Sequence, residues 1–291
     1  MAKIIIDDAT LRKYIPNVLA TVDDETALFD KLSPSLDMAE SWLIQNLTGQ
    51  KVFDKIVVGD RDTRFVNVAM FVVTYAFAMA IPSLDLVLTP NGFGVVSNNN
   101  VAPASKERVE RLINSLYVIK SQCLTSLLPM LRADVEWHDS EQCQWLASSI
   151  IQDIKDVEKF PHRDVFGVRS NPEMNLSADR WKDFLLLREK CSPIEQEIAN
   201  GWISSELMNR LCSSKATATW TKEERYLCKV LKNIVLSSAS KGALNIRHLE
   251  DAVSYIRSSP NLFPEWHSSA TAELFTPPIF KNEKKSGGHF F

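Results

Sequence analysis

Apolar residues recur every three or four positions through most of this chain, the period of a helix with one buried face. Leu28, Leu32, Leu36, Ala39, Leu43 and Leu47 open the series. Ser33-Pro34 interrupts it, so that Ser33 caps a second segment, and Gly49 is placed to end it. A shorter helix before it is opened by Asp8 and stopped near Pro16. Residues 65–81, FVNVAMFVVTYAFAMAI, are apolar on nearly every side. They predict a central buried helix that Pro82 terminates. Residues 105–128 carry a stripe of Val109, Leu112, Ile113, Leu116, Cys123, Leu124 and Leu127. Ser105 stands at the N-cap, and Pro129 ends or kinks the helix.

A helix over about 140–160 follows from Cys143, Leu146, Ala147, Ile150, Ile154 and Val157 on one face. Residues 161–172 read as a loop. A helix from Ser177 is broken at Ser192-Pro193, and segments follow over 193–202, 204–211, 221–240 and 245–258. Thr221 and Glu224 have capping-box spacing, and Gly242 is a helix stop. The expected fold is mainly α, a helical bundle.

Two irregular stretches interrupt the helices. Residues 84–104, LDLVLTPNGFGVVSNNNVAPA, place two β-prone runs around a Pro-Asn-Gly turn. That predicts a long hairpin-like loop between two core helices, and loops of such length are commonly functional. From Pro260 the helical period fades into an extended C-terminal tail holding Phe263, Trp266, Phe275, Phe280, Phe290 and Phe291. So many aromatics imply that the tail packs back on its own domain or docks on another chain. The divisions expected are 1–133, 134–259 (separate from the first or continuous with it) and 260–291. LSPSLDMAESW at 32–42 resembles CSPIEQEIANGW at 191–202, a likeness that either chance or ancestry accounts for.

With 45% hydrophobic and 24% charged residues, the chain has a globular composition. Nine glycines in 291 residues favour helices over a glycine-rich turn fold, and a net charge of −3 provides no general attraction to nucleic acid. Five scattered cysteines without a CxxC read as small buried hydrophobes in a reducing compartment. At 1.5 Å per residue, 65–81 spans about 25 Å, short of the roughly 30 Å hydrocarbon core, so a bundle core is favoured over a membrane span.

No catalytic or metal constellation stands up. Asp7-Asp8 and Asp23-Asp24 sit at helix starts, where acids belong. His162-Arg163-Asp164 lacks the remaining kinase motifs, and Asn91-Gly92-Phe93-Gly94 lacks the lysine and following helix of a phosphate loop. Neither an enzymatic activity nor a cofactor or metal is expected. Asn46-Leu47-Thr48 fits a glycosylation acceptor, but nothing indicates secretion.

From Asp23 to Arg132, the order is a glycine-stopped helix, the buried RFVNVAMFVVTYAFAMAIP helix, and the loop LDLVLTPNGFGVVSNNNVAPASKERVERLI leading into a long helix. This resembles the head–tail connector (adaptor, head-completion) proteins of tailed bacteriophages, small α-helical proteins that form a ring beneath the portal. The GFGVV and VAPASKERVERLI wording and the terminal FKNEKKSGGHFF also resemble an uncharacterised structural family of phages and prophages of gut bacteria. The resemblance implies a virion structural protein that forms a homo-oligomeric ring, or docks on one, at the portal vertex. Its implied partners are portal and tail-completion proteins, with neither a membrane nor a sequence-specific nucleic acid among them. Its implied location is the bacterial cytoplasm during assembly and then the virion. Interface residues would be Pro90, Asn91, Gly92, Phe93 and Gly94 in the loop, and Phe280, Phe290 and Phe291 in the tail. Typical adaptors are about half this length, and residues from Val135 onward have no counterpart in them. The alternative is a non-viral helical adaptor or regulator binding a single protein partner.

Overall fold

The structure, a computed structural model, describes residues 3–15, 28–59, 62–84, 86–89, 92–95, 105–160 and 177–276. Its first part runs α1 (Asp8–Tyr14), α2 (Leu28–Leu43), a π-helical turn (Ile44–Thr48), α3 (Gln50–Val58) and α4 (Phe65–Leu84). Strands β1 (Leu86–Thr89) and β2 (Gly92–Val95) then pair antiparallel, with Leu86 opposite Val95 and Thr89 opposite Gly92. Next come α5 (Lys106–Arg132), α6 (Val135–His138) and α7 (Glu141–Ala147). The rest is α8 (Asp156–Lys159), α9 (Arg180–Ile198), a second π-helical turn (Ala199–Ile203), α10 (Ser205–Ala216), α11 (Lys222–Lys241), α12 (Ile246–Arg257), α13 (Pro264–His267) and α14 (Ala270–Glu273). The expected mainly α bundle with a hairpin between two core helices is what forms.

α4 is the centre of the first part, packed between α2 and α5, with Val68, Phe71, Val72, Val73 and Ala76 fully buried. It runs past Pro82 to Leu84 and is long and apolar enough to cross a membrane. Its length therefore does not rule out a membrane span. Burial carries the core reading instead, since 61% of its most apolar window is covered by the rest of the chain. Trp42 joins this core, stacked on Phe71 at 5.3 Å and edge-on to Trp181 at 5.4 Å.

Several predicted breaks do not occur. Pro34 lies inside α2, Pro129 inside α5 and Pro193 inside α9. A mid-helix proline loses one hydrogen bond. In α9 the flanking Cys191, Glu195 and Ile198 are buried, so tertiary packing outweighs that loss. The helix expected over about 140–160 is instead two short helices around an irregular stretch, 148–155. Residues 260–276 are not extended. They form α13 and α14 and bury Phe263 and Trp266 against the body; the remainder of the tail lies outside the described residues.

The order of elements occurs twice. Helix, π turn, helix, long helix, helix and two short helices describe both α2–α7 and α9–α14. Each π turn ends at a residue with nearly the same backbone: Gly49 at φ 71°, ψ 158° and Ser204 at φ 70°, ψ 145°. With those two aligned, Trp137 and Trp266 become counterparts. The Trp137 indole donates to the Leu47 carbonyl at 2.7 Å and the Trp266 indole to the Trp202 carbonyl at 2.8 Å. Leu47 and Trp202 are themselves counterparts. Gln142 donates to the Gln45 carbonyl and Thr271 to the Asn200 carbonyl, again at matching places. Lys55 pairs with Glu136 as Arg210 pairs with Glu265. Among the described residues, the elements from α2 to α7 and from α9 to α14 form two repeats. α6 and α7 belong to the first, beyond the expected boundary at 133/134.

The two repeats differ most at the link from α4 to α5 and its counterpart from α11 to α12. α4 and α11 are both 20 residues long. α11 stops at Gly242 in the left-handed region, φ 71°, and α12 begins three residues later at the Asn245 cap. In the first repeat the same place holds the hairpin.

Candidate interface surfaces

The seam between the repeats is polar. Residues 148–155 lack regular structure, so their backbone groups need side-chain partners. Arg188 on α9 donates to the carbonyls of Trp145, Leu146 and Ile151. Glu195 accepts from the Ser149 hydroxyl at 2.8 Å and from the Ile150 amide at 3.3 Å. Lys215 on α10 donates to the Ile150 carbonyl at 2.8 Å, and Gln152 donates to the Cys212 carbonyl at 2.7 Å. Asp153 faces Arg132, Lys215 and Lys232 at 2.8–3.2 Å. Burial pushes the Asp153 pKa up, but these three cations prevail and hold it well below the usual carboxylate range. Burial raises Glu195, against the hydrogen bonds that favour its charge. These groups are spent on backbone and ion pairs around two apolar anchors, Ile150 and Ile151, which are fully buried.

The first repeat has the same device. Glu40 is the counterpart of Glu195, and it accepts from the Ile4 amide at 3.0 Å. Ile4 and Ile5 are buried. Asp7, which accepts from Thr10, caps α1. Each repeat is thus entered through an apolar pair seated on a buried glutamate, followed by a short helix, α1 or α8. Burial raises the Glu40 pKa, as it does that of Glu195.

A cation also ties the repeats together. Lys120 on α5 is 1% exposed. Its ammonium lies 4.2 Å from the Tyr75 ring centroid and 5.1 Å from that of Trp42. It pairs at 2.9 Å with Asp179, the residue before α9. Burial lowers its pKa and Asp179 opposes that shift.

Of the residues singled out from sequence, Gly92, Phe93 and Gly94 lie in β2, with Phe93 opposite Leu88 and Gly94 opposite Val87. Pro90, Asn91, Phe280, Phe290 and Phe291 lie outside the described residues, as do Asp23-Asp24 and His162–Asp164. The loop and tail groups are not brought together by anything described. Asp8 is paired with Arg12 within α1. All five cysteines are buried and unpaired; burial raises Cys123, Cys143 and Cys228 to about 11 and Cys191 to about 12. Among the described residues, no group of His, Cys, Asp or Glu could hold a metal ion. Sequence reasoning left the duplication between chance and ancestry and did not find its register. The pair Glu136-Trp137-His138 and Glu265-Trp266-His267 carries it. The Ser-Pro likeness lies in the repeated elements but in the wrong register: Pro34 is the counterpart of Glu189, one turn ahead of Pro193.

Comparison with known proteins meets this division. A family model of unknown function, DUF6712, matches residues 15–146. The match ends within α7, so it covers most of the first repeat and stops before the second. No curated protein and no solved structure matches the chain significantly.

Proposed function

We propose that the chain is a structural component of a phage virion, similar to head–tail connectors, acting through protein–protein contacts at the portal vertex. The observation that carries this reading is the hairpin inserted between α4 and α5. The second repeat closes the equivalent helix pair with the short turn at Gly242, so the fold does not require the insertion. A segment dispensable for closure and carrying its own strand pairing is suited to gripping another subunit. The buried cores of both repeats give it a rigid base. The doubled repeat also accounts for the length, because one chain would supply two connector-like units to a ring. The aromatic end of the chain, with Phe280, Phe290 and Phe291, would serve as a second docking arm.

The test replaces residues 85–104 with the second repeat's turn, and in a separate variant changes Phe290 and Phe291 to alanine. Both variants should melt within a few degrees of the parent. Each should lose co-purification with phage portal and capsid proteins expressed together with it. A full-length chain that binds none of those proteins, or a hairpin deletion that binds them unchanged, would refute the reading. Capture of one host protein without virion proteins would favour the single-partner adaptor.

A further inference from the structure

The two repeats of one chain are joined by a contact whose two sides both recur, without that partner among the described residues, one in each repeat. Inside the chain, α7 of the first repeat packs on α10 of the second. The ring of Trp145 on α7 lies 6.0 Å from Trp181 and 6.3 Å from Phe184, both on α9. The hollow beside it, edged by Gln45 and Gln142, is walled by Trp181 and Leu185 of the second repeat.

The counterpart of α7 is α14. Its flank carries Leu274, the counterpart of Trp145, and Leu274 is 72% exposed where Trp145 is 39% exposed. The matching hollow, edged by Asn200 and Thr271, has no wall from a following repeat among the described residues. At the other end, α3 is the counterpart of α10. Its main partners among the described elements are the π turn and α6, and none stands to it as α7 stands to α10. Phe29 on α2, the counterpart of Phe184, is only half-buried.

We infer that a second copy of this chain fills both places: α14 and Leu274 of one copy dock on α3 and the start of α2 of the next, repeating between chains the contact made within one. Such a contact is head-to-tail, with two different surfaces, so it builds closed rings or open filaments rather than a twofold dimer. It would be weaker than its template. Arg188 and Trp181, which clamp the internal seam, align with Ser33 and Thr26 in the first repeat. The association is therefore reversible and concentration-dependent. The place that Ile150-Ile151 takes on the second repeat is held in the first by the chain's own Ile4-Ile5, so the neighbour contributes α14 and not a threaded segment. This inference shares only ring assembly with the virion reading, and the two fail separately.

The test uses the full chain with Phe29→Cys, Leu274→Cys or both, treated with a short bismaleimide. The native cysteines are buried and serve as the unreactive background. The double variant should give a ladder of chain multiples. An equal mixture of the two single variants should stop at a dimer, and neither single variant should cross-link alone. Leu274→Glu should abolish high-mass species in light scattering without lowering the melting temperature, because the side chain is exposed. A Leu274→Cys variant that cross-links to itself would overturn the inference, as would a double variant monomeric at every concentration. If the ladder forms but no virion protein is bound, the portal role falls and the self-contact stands. If virion proteins bind without a ladder, the reverse holds.

Discussion

Replacing either repeat-anchoring tryptophan by phenylalanine should destabilise the protein, and the two losses should match. Trp137 is fully buried and Trp266 nearly so. Each indole donates to a carbonyl of a π turn, at 2.7 and 2.8 Å. In Trp137→Phe the Leu47 carbonyl loses its side-chain donor in a buried place, at a cost of about 1–3 kcal/mol. The smaller ring also leaves a void. Truncating Trp to Ala costs roughly 3–5 kcal/mol, and phenylalanine retains over half the volume, so about 1–2 kcal/mol is added. The sum is about 2–5 kcal/mol for each variant. In urea, with a slope of about 3 kcal/mol per M, that moves the midpoint down by roughly 1 M. Circular dichroism across a urea series reads it directly. Losses below about 1 kcal/mol in both variants would refute the reasoning. So would a large loss in Trp137→Phe beside none in Trp266→Phe, since the two bonds would then not be equivalent parts of one repeated unit.

The residues that close the π turns should exchange asymmetrically. Gly49→Ser puts a side chain at φ 71°, where its Cβ meets Gln142 Oε1 at 3.0 Å, and should cost about 1–3 kcal/mol. Ser204→Gly relieves the same backbone, loses only a cap to Leu207, and should raise the melting temperature by a few degrees. Glu40→Gln should stabilise the protein at neutral pH and leave it unchanged in acid. Burial raises the Glu40 pKa in the fold, so the contribution of this group is full below its unfolded pKa and falls away as pH rises through the folded one. Denaturation at acid and neutral pH checks the sign. Native thiols should resist Ellman's reagent because all five are buried. Five equivalents should react in guanidinium; reaction of any thiol at the free-cysteine rate in the native protein would contradict the packing.

Much of the helical layout was legible because it rests on local physics. The Thr221–Glu224 capping box forms as spaced, with Glu224 accepting from the Thr221 amide at 2.7 Å. Gly242 ends α11 in the left-handed region. The two β-prone runs on either side of Pro-Asn-Gly pair as strands, with Thr89 opposite Gly92. Misreadings fall where distant partners decide. Nothing near Ser148 says that its segment will leave the helix, because the groups that satisfy its backbone, Arg188, Glu195 and Lys215, lie 37 or more positions away. Pro193 reads as a break because propensity is local while the burial of Cys191 and Ile198 is not. The repeat was hidden for a related reason. What it conserves is mostly backbone acceptors, such as the Leu47 and Trp202 carbonyls, which any side chain can present. Leu47 and Trp202 share no chemistry, yet do the same thing.

Repeats joined by a polar seam face a problem at their ends that differs from that of an apolar solenoid. In a stacked array each unit covers its neighbour, and terminal units need a surface that tolerates water. Here the first repeat is closed by a piece of its own chain, since Ile4-Ile5 and α1 lie where Ile150-Ile151 and α8 lie on the second. The last repeat has no following α9 among the described residues, and Leu274 remains exposed. Among the described residues, then, the first repeat is closed at its entry segment, while the flank of α14 and the face of α3 each lack the partner that their counterparts have. A closed start means that addition of another copy does not require the first repeat to refold. Two unlike, complementary surfaces give any array built from them a single polarity. Those are the conditions for ordered head-to-tail assembly from a subunit that is folded before it assembles.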